Sequence, residues 1–142
     1  ARSHMRTSLK SLEAKIQEKD FLIANMIPTC VHEDITIARA VNRKTLSSYA
    51  LLPNYRNYWR SAGYTEEMDN IETCIAEDNI GGIRACLTDR WLDDTTIAGP
   101  AERVREQIDL WFEAGVSKPI IVPSSAEGGQ IKALDELFAV YA

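Results

Sequence analysis

The stretch from Gly99 to Ser125, GPAERVREQIDLWFEAGVSKPIIVPSS, most constrains what this chain folds into. Pro100 stands where a helix begins, because its missing N–H would have no partner there and its φ is already helical. Val104, Ile108, Leu110, Trp111 and Phe112 recur at roughly helical spacing and give that helix an apolar stripe. Gly115 ends it, since glycine enters the left-handed region without a Cβ clash. Pro119-Ile120-Ile121-Val122-Pro123 follows, a short apolar run that reads as a strand buried on both faces. A helix, a glycine turn and such a strand form half a turn of a parallel α/β sheet. Ser124-Ser125-Ala126-Glu127-Gly128-Gly129 lies just past the strand's carboxyl end, where α/β folds place ligand sites.

The chain has 142 residues, enough for one domain with a core. Ala1-Arg2-Ser3-His4-Met5 reads as a cloning scar, which leaves His32 as the native histidine and residues 6–142 as a single α/β domain. A net charge of −5 argues against a nucleic-acid or anionic-membrane partner. No apolar run reaches the ~20 residues of a membrane span and no secretory pattern is visible, so a cytoplasmic location is expected. Cys30, Cys74 and Cys86 are odd in number and far apart. They suggest neither a disulfide framework nor a zinc site, and no metal site is expected.

In chain order, Thr7 or Ser8 caps a helix through about Lys19, and Phe21 to Val31 reads as a second strand buried on both faces. Asp34 caps a helix through about Tyr49 with Ile37, Val41 and Leu46 inward. Pro53 restarts a helix that Gly63 ends, and Thr65 opens another with Met68, Ile71 and Ile75 buried. Asn79 caps a helix from Ile80 to about Leu92, and Asp93 to Ala98 is a connection. Gln130 to Tyr141 forms a last helix, with Ile131, Leu134, Leu137 and Phe138 inward. Two parallel strands leave both outer edges unpaired, so copies of the chain are expected to associate through them. A closed barrel takes eight strands and ~250 residues. The chain therefore reads as a piece of a larger α/β architecture, with two parallel strands and a cluster of helices between them.

Ser124, Ser125, Gly128 and Gly129 are candidates for binding an anion or a cofactor edge through backbone N–H groups. The plainer alternative is an ordinary loop with a capping serine. Asn25 and Thr29 lie on the first strand, and a polar side chain there either faces a substrate or pairs with nearby backbone. His32 follows that strand as a conceivable base, although no partner stands at a telling distance. Tyr49, Tyr55, Tyr58, Trp59 and Tyr64, with Arg56 and Arg60, form a lid over a flat ligand or, as the stronger reading, core or interface. Cys74 and Cys86 read as small buried hydrophobes on successive helices. Glu66-Glu67 and Asp93-Asp94 show no paired-carboxylate catalytic pattern, and no catalytic residue is assigned.

LPNYRNYWRSAGYTEEMD, followed by DRWLDDTTIAGPAERVREQIDLWFEAGVSKPIIVPSS, resembles the C-terminal part of luciferase-like flavin-dependent oxidoreductases. This group includes FMN-dependent monooxygenases and F420-dependent enzymes. The likeness runs from Thr7 to Ala142. It implies a TIM barrel in which Phe21–Val31 is the seventh strand, Ile120–Val122 the eighth and Gln130–Tyr141 the closing helix. It also implies FMN or F420 as cofactor, with the first six strands and most flavin contacts lying outside this chain. A segment that is not catalytically complete by itself is the result. A non-catalytic oligomerising α/β module and a small-ligand binder are the alternatives.

Overall fold

The computed structural model describes residues 22–142. The expected Thr7–Lys19 helix, Phe21 and the Ala1–Met5 segment lie outside the described residues. Three strands form one parallel sheet: β1 (Ala24–Val31), β2 (Ile97–Gly99) and β3 (Lys118–Ser124), in the order β2-β1-β3. The sheet is open. It agrees with part of a barrel and corrects the two-strand expectation, because Ile97–Gly99 is a strand and not a connection. The apolar pair Ile97-Ala98 is too short to register as a strand by length. It becomes one because Thr29, Cys30 and Val31 supply a partner at Ile97, Ala98 and Gly99.

Between β1 and β2 run α1 (Ile35–Ala50), α2 (Pro53–Ser61), α3 (Thr65–Ala76), a 3₁₀ turn (Ile80–Gly82), α4 (Ile83–Cys86) and α5 (Asp89–Thr95). Then α6 (Ala101–Glu113) links β2 to β3, and α7 (Gln130–Ala139) follows β3. Asp34 caps α1 by accepting from the Thr36 N–H at 2.7 Å, Pro53 opens α2, and Gly63 turns the chain after it at φ +99°. Pro100 stands one residue outside α6 as its cap, and Gly115 takes φ +95° beyond its end. The single helix expected from Ile80 to Leu92 is broken into three pieces. Gly81-Gly82 weakens its start, and the Thr88 hydroxyl accepts from the Trp91 N–H at 3.2 Å, opening a new helix.

Two apolar cores result. The inserted helices pack around Trp91 with Leu46, Trp59, Tyr64, Met68, Ile71, Ile83, Leu87 and Leu92. Ile27 and Ile97 of the sheet pack against Val104, Ile108 and Trp111 of α6, with Val116 and Val140. On the opposite face, Cys30 and Ala98 cluster with Ala38 and Val41 of α1, at the carboxyl ends of the strands.

That arrangement overturns the expectation that both strands are buried on both faces. Met26 and its register partner Ile120 share a face and stand 65% and 44% exposed. The expected inward positions Ile37, Leu110, Phe112, Ile131 and Phe138 are likewise exposed, while Ala133 and Val140 fill the α7 contact.

The edges of the sheet differ in kind. Ala98 faces away from β1, and there its N–H donates to Gln107 Oε1 at 3.1 Å while its carbonyl accepts from Arg103 Nε at 3.1 Å. Side chains of α6 thereby block a further strand on the outer side of β2. On β1, the His32 N–H bonds Gly99 and the Ile23 carbonyl bonds Lys118, so even-numbered residues face β2 and odd-numbered ones β3. Because β2 covers only Thr29–Val31, the backbone groups of Ala24 and Met26 meet no described strand. Pro28, on the same side, has no N–H to leave open.

Candidate functional site

The register brings His32, Pro100 and Ser125 out at one end of the sheet. Ser125 ties the loop after β3 together. Its hydroxyl accepts from the Glu127 N–H at 3.0 Å and donates to Glu136 Oε1 at 3.0 Å. Lys132 Nζ stands 3.6 Å from Glu136 and 3.9 Å from Glu127. Gly128 is required by crowding, since a Cβ there would lie 2.9 Å from Cβ of Lys132. Gly129 caps α7 in open space, and Ser124 ends β3 beside Cys30.

His32 closes the other side of this end. The Asp34 N–H lies 3.0 Å from Nδ1, which accepts it when unprotonated, and Nε2 points toward Glu127 at 3.9 Å. Cys30 is fully buried beneath, and burial, reinforced by the Glu136 charge, pushes its thiol up to about 11. The end therefore holds an inert thiol, a histidine and two carboxylates around one lysine. An anion approaching the α7 N-terminus meets Glu127 and Glu136 beside Lys132, which weakens the case for a phosphate seat.

A second concavity, of about 400 Å³, opens at the other end of β1. Ala24, Asn25, Met26 and Pro28 form its floor with Val122, and Thr45, Leu46, Tyr49, Tyr55, Tyr58 and Trp59 form its wall. Asn25 thus reaches a cavity. Thr29 does not: it is buried, and its hydroxyl donates to the Ile27 carbonyl at 3.0 Å. The two residues, four apart on one strand, stand in different surroundings.

The aromatic run divides between wall and core. Tyr49 packs edge-on to Tyr55 at 5.2 Å, Tyr55 meets Trp59 at 5.6 Å, and Trp59 meets Trp91 edge-on at 4.8 Å. Partial burial holds the Tyr58 hydroxyl above its ordinary range. Arg56 and Arg60 do not cover the cavity. Arg56 is buried and donates to the Ala50 carbonyl at 2.9 Å, and Arg60 pairs with Asp69 at 2.7 Å and Glu72 at 3.0 Å. Arg90 is the cation over Tyr64, 5.2 Å from its ring centre.

The acidic pairs are structural. Glu67 accepts from the Thr88 hydroxyl at 2.9 Å, and Asp94 accepts from the Tyr64 hydroxyl at 2.5 Å. Asp93 receives Arg39 at 2.7 Å and Arg103 at 3.3 Å, while Asp89 receives Arg39 at 3.1 Å and Arg43 at 2.5 Å. Arg39 and Arg43 on one helix meet Asp89 and Asp93 on another, each pair four residues apart, and that matched spacing is readable in the sequence. No group of three or more His, Cys, Asp or Glu among the described residues is placed to hold a metal ion. No described helix is long and apolar enough to cross a membrane.

Acid is expected to weaken the fold in a defined window. Hydrogen bonding to the Thr36 backbone holds the Asp34 carboxyl below its ordinary range, and hydrogen bonds from Arg60 and Arg56 do the same for Glu72. A depressed folded pKa adds stability above the unfolded pKa of about 4, and that stability is lost as pH falls through the folded value. Urea midpoints are therefore expected to stay level from about pH 7 to pH 5 and to drop below about pH 4. A midpoint that holds at about pH 3 would show that neither carboxylate matters to stability.

No protein-family profile matches the chain. No solved structure matches it. Over 120 residues, 80% of this chain and 35% of the relative, it is 26% identical to a Mycobacterium tuberculosis protein named as a coenzyme F420-dependent oxidoreductase. The chain thus spans about a third of the curated relative it matches, and the likeness places it beside that protein in sequence.

Proposed function

We propose that this chain is the C-terminal segment of a luciferase-like flavin-dependent oxidoreductase that needs strands outside the described residues to hold its cofactor. The observation that carries this reading is the half-open sheet: a parallel β1–β3 pair with Met26 and Ile120 bare and the Ala24–Met26 edge uncovered by β2. The similarity to an F420-dependent oxidoreductase supports it. The residues present do not fit a whole flavin cofactor. The aromatic cavity lies along the amino-terminal half of β1, whereas Ser124, Ser125, Gly128 and Gly129 lie at the carboxyl end under two carboxylates. No redox step is therefore derived from them.

The test is a chimera in which this chain replaces the matching third of the Mycobacterium tuberculosis relative, compared with the chain alone. Titration with FMN and with F420, read by cofactor fluorescence, is expected to show saturable binding to the chimera and none to the chain. A folded chimera that binds neither cofactor, or a chain that binds one unaided, would overturn the reading. The same bare face favours association of copies in the isolated chain. Light scattering is expected to show mass rising with concentration, and a strictly monomeric species at micromolar concentration would sink that part.

A further inference from the structure

We infer that Cys74 and Cys86 are a redox-sensitive dithiol, closing to an intramolecular disulfide when the protein meets a low-molecular-weight disulfide such as oxidised glutathione. Their sulfurs stand 3.7 Å apart although the residues are twelve positions apart in sequence. Cys74 ends the inner face of α3, and Cys86 is the last residue of α4. Both are half-buried at the margin of the Trp91 core, so neither is sealed from solvent as Cys30 is.

The approach from 3.7 Å to a bonded distance of about 2.05 Å asks for movement of roughly 1.6 Å. The segment between them supplies it. It holds Asp78 at φ +54°, a single 3₁₀ turn, a four-residue helix, and Gly81, where a Cβ would meet nothing within 4 Å.

The reaction is thiol–disulfide exchange in two steps. The Cys74 thiolate attacks one sulfur of oxidised glutathione, forming a mixed disulfide and releasing one glutathione thiol. The Cys86 thiolate then displaces the second glutathione thiol, and the two protein protons end on the two released thiols. The protein dithiol is oxidised and the glutathione disulfide is reduced. Burial and the hydrogen bond to Cys74 push the Cys86 thiol up to about 11, so the second step quickens with rising pH.

The experiment incubates the folded chain with oxidised glutathione at about pH 8, blocks remaining thiols by alkylation in denaturant, and maps peptides by mass. The expected result is a Cys74–Cys86 linked peptide with Cys30 alkylated, a thermal midpoint raised by several degrees, and reversal of both by dithiothreitol. Cys74→Ala and Cys86→Ala variants are expected to lose the link, and in Cys86→Ala the Cys74 thiol is expected to retain a glutathione adduct. Three alkylated cysteines in the wild-type chain, or a bridge that includes Cys30 or forms only in denaturant, would overturn the inference. Because the readout is covalent and made on the wild-type chain, a variant that fails to fold leaves the test intact.

Discussion

Trp91→Ala is expected to cost about 3–5 kcal/mol of folding stability, the usual range for removing a large aromatic side chain from a packed core. Trp91 is fully buried, and it shares one core with Trp59, Met68, Ile71 and Leu87 of the insertion. Its ring meets Trp59 edge-on at 4.8 Å, a geometry that adds to area burial alone. Domains of this size hold only ~5–15 kcal/mol in all, so the variant should be partly unfolded at room temperature. Urea unfolding followed by circular dichroism checks this without relying on the tryptophan that is lost. Trp91→Phe keeps most of the apolar contact and should cost about 1–2 kcal/mol. An alanine variant within about 1 kcal/mol of the wild type would show that the insertion has its centre elsewhere. The effect also reaches the cavity, because Trp59 forms part of its wall and leans on Trp91.

The elements most legible in the sequence were those with their own punctuation. Asp34, Pro53, Gly63 and Gly115 each mark a boundary through a local mechanism, and the structure uses all four. β2 was not legible because nothing local makes it a strand: Ile97-Ala98-Gly99 extends by pairing with Thr29–Val31 and by hydrogen bonds of Ala98 to the Gln107 oxygen and from the Arg103 guanidinium. The exposed Met26, Ile120, Ile131 and Phe138 show the complementary failure. Apolar sequence reports that a surface suits burial, and it does not report what covers that surface. Ser124, Ser125, Gly128 and Gly129 stand at the end of β3 and the start of α7, a position that the strand and the glycines make readable. Glu136 was missed, because nearly two turns of α7 had to form before its carboxylate could reach the Ser125 hydroxyl.

Asp93→Ala should be the most damaging single change to a charge, at about 2 kcal/mol, because it strips two guanidinium groups at once. Asp93 sits on α5 and receives both Nε and Nη2 of Arg39, at 3.0 and 2.7 Å, from α1. It also takes Arg103 of α6 at 3.3 Å, while the same Arg103 holds the Ala98 carbonyl of β2. One carboxylate thus pins the insertion to the helix that seals the sheet edge. Half-burial keeps the value below that of a sealed ion pair, and Asp89 remains to hold part of the Arg39 charge. A double-mutant cycle with Arg39→Ala isolates the pair, with an expected coupling of about 1–2 kcal/mol. The bidentate contact is shielded from solvent on one side, so the coupling should survive about 0.5 M salt better than that of the exposed Arg60–Asp69 pair. Additivity within ~0.3 kcal/mol would mean that the two residues act independently.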